Sequence, residues 1–133
     1  MKTSRVLAAI AVTAAATVAA SVSADDGLES KMGATATLSG GKLTLVLKGK
    51  EGGVYVNTEY PFKCTVKIAD GGKLEKSVLT KGDAKLEDAG KPGKAKSATF
   101  ETGADKSVTG ECRLVACSDS ACTAPFSLPF QSK

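Results

Sequence analysis

Phe62-Lys63-Cys64-Thr65-Val66-Lys67-Ile68 alternates apolar and polar residues without a break. That period of two is the signature of a half-buried strand. It puts Phe62, Cys64, Val66 and Ile68 on the inward face and the lysines outward. Asp70-Gly71-Gly72 follows as a turn signal, because these residue types tolerate positive φ. Residues 73–80 then read as the returning strand, with Leu74 and Val78 inward.

The same period extends in both directions. Lys42-Leu43-Thr44-Leu45-Val46-Leu47-Lys48 places Leu43, Leu45 and Leu47 on one face. Val54-Tyr55-Val56-Asn57 is short and rich in strand formers. Strand character returns at 97–101 around Phe100. Residues 107–117 form a further strand, with Val108, Gly110, Cys112, Leu114 and Ala116 on one face. Phe126-Ser127-Leu128-Pro129-Phe130 alternates again, and Pro129 confines that strand to an edge. Residues 81–96 carry Gly82, Gly90, Pro92 and Gly93 with little apolar content, and read as a long surface connection. A short turn is expected at 25–32, and no stretch has a helical period. Short strands separated by turn signals indicate an all-β fold, an antiparallel β-sandwich.

The first residues stand apart. Met1-Lys2-Thr3-Ser4-Arg5 is basic, residues 6–20 are apolar and alanine-rich, and Val22-Ser23-Ala24 is small at the end. This pattern predicts a signal peptide over 1–24, cleaved after Ala24. Its apolar run is shorter than the roughly 20 residues of a spanning helix. Residues 25–133 then form a single domain without a membrane span, periplasmic or secreted. Removing Lys2 and Arg5 from 18 basic residues leaves 16 against 14 acidic ones, a net +2. Such a balance, with scattered lysines and six aromatic residues, does not indicate a nucleic-acid surface.

Chemistry in this chain centres on sulfur. It has four cysteines and no histidine, which removes Ser-His-Asp and Cys-His catalysis. Export permits disulfides, and four cysteines allow three pairings. Cys64 and Cys112 fall on inward faces of predicted strands. A buried bridge between them closes about 49 residues, worth roughly 4 kcal/mol in the chain-entropy treatment. Cys117 and Cys122 lie in the polar loop Cys117-Ser118-Asp119-Ser120-Ala121-Cys122. A bridge there closes about six residues, worth roughly 2 kcal/mol. Short exposed bridges are the exchangeable ones, whereas a plain loop staple is the structural alternative. Zinc ligands come in pairs two to four residues apart, and no C-x-x-C is present, so no metal is expected. The glycines form no phosphate-binding pattern, so no cofactor is expected either. No small-molecule ligand is named by the sequence.

Two segments carry a family resemblance. Gly52-Gly53-Val54-Tyr55-Val56-Asn57-Thr58-Glu59-Tyr60-Pro61 and the ending Ala116-Cys117, acidic loop, Cys122-Thr123-Ala124-Pro125 and final strand are similar to one periplasmic family. It is the N-terminal domain of the thiol–disulfide interchange protein DsbD, the disulfide-bond corrector family, and the resemblance covers about residues 43–130. The resemblance implies an immunoglobulin-like sandwich whose loop cysteines cycle between dithiol and disulfide. It implies Cys122 as the attacking thiol and Cys117 as its resolving partner. It also implies periplasmic thiol or disulfide proteins as partners acting in trans. The chain differs from the family pattern at Thr123, where an aromatic residue is usual, and in the aromatic-free stretch 81–96. The alternative reading is a secreted binding module in which both bridges are structural.

Overall fold

The computed structural model describes residues 27–132. The signal-peptide segment therefore lies outside the described residues. A helical turn at 27–30 leads into ten strands. They are β1 (Met32–Ser39), β2 (Lys42–Gly49), β3 (Tyr55–Asn57), β4 (Lys63–Ile68), β5 (Val78–Thr80), β6 (Lys85–Lys91), β7 (Lys94–Gly103), β8 (Val108–Leu114), β9 (Ala116–Cys117) and β10 (Phe126–Gln131). The fold is an all-β antiparallel sandwich. One sheet holds β1, β2, β3, β6, β7 and β9, and the other runs β10-β8-β4-β5.

Register defines the first sheet. Ala95 of β7 pairs with Val56 on one side and Asp88 on the other. Ser97 pairs with Lys48 and Glu87 in the same way. β2 and β3 therefore lie end to end along one edge of β7, and β6 occupies its other edge. β9 extends the sheet beyond β3 through the pairs Tyr55–Cys117 and Val56–Ala116. The glycines at the β1–β2 turn, Gly40 (φ 59°) and Gly41 (φ 79°), supply the two left-handed positions of a two-residue hairpin loop.

Between the sheets lies a core of Leu43, Leu45, Leu47, Val56, Phe62, Cys64, Leu79, Phe100 and Leu114, all at most 1% exposed. Phe62 and Phe100 meet edge to face across it, with centroids 6.1 Å apart. Burying side chains of this size contributes about 1.5–3 kcal/mol each before entropy is counted. Pro129 lies in β10, the outer strand of its sheet. Nearby, Ser132 makes a parallel bridge to Ala36 of β1, so the two sheets touch along that side.

Four segments differ from the sequence reading, each for a physical reason. Residues 32–39 form β1, which the sequence reading did not include. Their Ala-Thr alternation carries little apolar bulk, and only Met32 and Ala36 are deeply buried. Residues 73–80 are not one strand. Leu74 bridges Ala104 and the Glu75 N–H donates to the Gly103 carbonyl of the first sheet, before Val66 takes up Ser77 in the second. That change of sheet reverses the parity, so Leu79 is buried and Val78 is 44% exposed. Residues 81–96 are a 3₁₀ turn (Lys81–Asp83), β6 and the start of β7, closed by a tight turn at Pro92 and Gly93. β6 is exposed on both faces and so carries no alternation to read. Residues 107–117 divide at Val115: β8 belongs to one sheet and β9 to the other.

Candidate functional site

All four cysteines are in two bridges, Cys64–Cys112 and Cys117–Cys122. Cys64 and Cys112 face each other across β4 and β8 and are both fully buried. Their bond therefore ties adjacent strands of one sheet. The bridge of antibody domains instead spans two sheets. A sulfur pair with no solvent access in the folded domain is closed to an external thiolate.

The second bridge differs in its access. Cys117 is 1% exposed, held in β9 against β3. Cys122 is exposed. The two occupy facing positions of a short hairpin. The Thr123 N–H donates to the Ala116 carbonyl at 2.8 Å, and the Ser118 N–H donates to the Ala121 carbonyl at 2.7 Å. Thr123 is buried, and its Oγ1 accepts from the Ala116 N–H at 3.2 Å. Ser118 Oγ accepts from the N–H groups of Ser120 and Ala121. Side-chain acceptors of this kind hold the tip without a glycine.

Three neighbours complete the site, none of which sequence reasoning had assigned a role. Asn57 donates from Nδ2 to Cys122 Sγ at 4.0 Å. Its Oδ1 accepts from the Glu59 N–H at 2.8 Å and the Tyr60 N–H at 3.3 Å. This Asx turn fixes the carboxamide and aims its donor at the sulfur. The readable signal was Asn57 at the end of a strand, four residues before Pro61. Lys91, at the end of β6, pairs with Asp119 on the loop at 2.5 Å. Its ammonium also lies 5.7 Å from the centre of the Tyr55 ring. The hydrogen bond from Lys91, with its charge, holds the Asp119 carboxyl below its usual range. The same hydrogen bond and the Asp119 charge raise Lys91. The β6–β7 hairpin thus reaches the cysteine loop through a cation rather than an aromatic side chain.

Chemically, a disulfide with one exposed member can undergo thiol–disulfide exchange. An incoming thiolate would attack the Sγ of Cys122, the exposed member of the pair. The Cys117–Cys122 bond breaks, a new bond to Cys122 forms, and the electron pair leaves on Cys117 Sγ. A second thiolate on the partner then attacks the mixed disulfide, forming the partner's disulfide and leaving Cys122 reduced. Run backwards, reduced Cys122 attacks an oxidised partner and Cys117 resolves the product. Among the described residues no group of three or more His, Cys, Asp or Glu side chains is placed to hold a metal. No helix among them is long and apolar enough to cross a membrane. No family model and no curated protein matches this chain.

Proposed function

We propose that this domain exchanges thiols and disulfides with exported proteins through the Cys117–Cys122 pair, as a relative of the N-terminal domain of DsbD. The observation that carries this reading is the asymmetry of the bridge, with Cys122 exposed and Cys117 buried. A loop staple needs no such difference. An exchange pair uses it to decide which sulfur is attacked and which one leaves. The antiparallel sandwich, the Cys64–Cys112 bridge and the signal-peptide pattern support the same reading. With the fold fastened elsewhere, the loop pair can open without unfolding the domain.

Cys117→Ser tests it. This variant keeps the exposed sulfur and removes the resolving one, so mixed disulfides through Cys122 accumulate on non-reducing gels. The wild-type pair is expected to have a reduction potential above about −300 mV, the value below which bridges resist exchange. A clean monomer for the variant together with a potential below that value would show that both bridges are structural.

A further inference from the structure

A cavity of about 370 Å³ shares Tyr55 with the surroundings of the cysteine loop. Its lining residues include Lys48, Lys50, Glu51, Tyr55 and Lys96, with the glycines of 49–53. Local structure builds it. β7 carries an extra residue at Lys96, because Ala95 and Ser97 pair with the adjacent residues Asp88 and Glu87. Such a bulge re-aims a side chain. Opposite, the chain turns tightly from β2 into β3. A Cβ on Gly49 would lie 2.6 Å from the Val54 carbonyl oxygen, so only glycine fits there. The Lys50 stem lies across Gly33, within 3.7 Å of where a Cβ would stand.

Charge gives the cavity its chemistry. Three lysines and one glutamate are among its lining residues, and Glu51 is already paired with Lys31 at 3.1 Å. Among the described residues, Lys48, Lys50 and Lys96 form no ion pair. Three like charges around one concavity repel, and an anion that enters it relieves the repulsion. Tyr55 joins this cavity to the sulfurs. It lines the wall, it pairs in register with Cys117, and its ring lies beside Lys91 of the cysteine-loop contact.

We propose that this cavity binds an acidic segment, rich in Asp and Glu, of the protein that exchanges disulfides with Cys122. The inference rests on the exchange reading and names the surface that selects its partner. Carboxylates bound at Lys48, Lys50 and Lys96 bring a neighbouring cysteine of the partner to the exposed sulfur. Attraction between opposite charges raises the encounter rate and discriminates against basic partners.

Two measurements separate the claims. In the first, a Glu-rich peptide is titrated into the oxidised domain and followed by amide chemical shifts. Shifts at 48–53 and 96 are expected, absent with the Gln analogue, lost in Lys48→Ser/Lys50→Ser/Lys96→Ser and suppressed in wild type by salt. Equal shifts with the Gln peptide or with inorganic phosphate at the same concentration, or none at all, would overturn the assignment. In the second, reduced protein reacts with peptide disulfides flanked by Glu or by Gln. The Glu-flanked peptide is expected to react about tenfold faster with wild type, and at the Gln-flanked rate with the triple variant. Equal rates in wild type defeat the docking surface and leave exchange standing. Peptide-induced shifts without any exchange defeat the exchange reading and leave the surface standing.

Discussion

Asn57 Nδ2 is aimed at Cys122 Sγ from 4.0 Å, while the same residue's Oδ1 closes the Asx turn that fixes its direction. One side chain thus shapes the end of β3 and supplies a donor to the exposed sulfur. Asn57→Asp keeps the turn acceptor and replaces the donor by a negative charge. A negative charge beside a thiol disfavours the thiolate, so the Cys122 pKa should rise. Alkylation of reduced protein at neutral pH should slow by roughly threefold to tenfold, with a pH profile displaced upward. An unchanged profile would show that the amide does not act on the sulfur.

The two bridges should open in a fixed order. Cys122 meets solvent and both atoms of the Cys64–Cys112 pair do not. Stepwise dithiothreitol followed by differential alkylation should label Cys117 and Cys122 first. The energetic order is the reverse. Cys64→Ala/Cys112→Ala should cost roughly 4 kcal/mol in urea unfolding, and Cys117→Ser/Cys122→Ser roughly 2 kcal/mol.

Acid should weaken the turn between β5 and β6. Lys76, with the Thr80 backbone N–H, holds the Asp83 pKa down to about 2 from an ordinary 3.8. A depressed carboxylate contributes stability that is fully present above the unfolded value and is lost as pH falls through the folded one. Local protection at 80–84 should therefore decline between about pH 4 and pH 2. Asp83→Asn should flatten that decline, as read by hydrogen exchange or by thermal midpoints across the window.

Gly110 should tolerate no side chain. A Cβ there would stand 2.1 Å from the Thr65 carbonyl oxygen and 2.6 Å from Phe130 Cζ. Gly110→Ala must push β8 from β4 or displace the Phe130 ring, which is 6% exposed. The expected loss is about 2–3 kcal/mol by chemical denaturation. A matching substitution at Gly52, which meets nothing within 4 Å, should cost less than about 1 kcal/mol.

Legibility followed bulk. Leu43, Leu45 and Leu47 announce β2 because large side chains alternate with polar ones, and all three are fully buried. β1 hides because Ala34, Thr35, Ala36 and Thr37 bury little and alternate weakly. β6 hides because neither of its faces is covered. The exchange of Val78 for Leu79 at the inward position arises from tertiary pairing of 74–76 with the opposite sheet, which no local pattern encodes. At the site, the cysteines and their pairing capacity were legible in spacing. Asn57, Lys91 and Asp119 were not, since β3, the β6–β7 hairpin and the loop after β9 meet only when β3 pairs with both β7 and β9.

The open side of the sandwich ends in β6, which among the described residues pairs with β7 alone. Its register shifts twice, at Glu87/Asp88 and at Asp88/Lys91, and it carries Lys85, Glu87, Asp88 and Lys91 within seven residues. An incoming strand would have to match an irregular ladder and place its own side chains beside fixed charges of both signs. In the exchange reading proposed above, the domain would meet other chains often and release them each time. β6 leaves this edge of the sandwich a poor template for fibril growth.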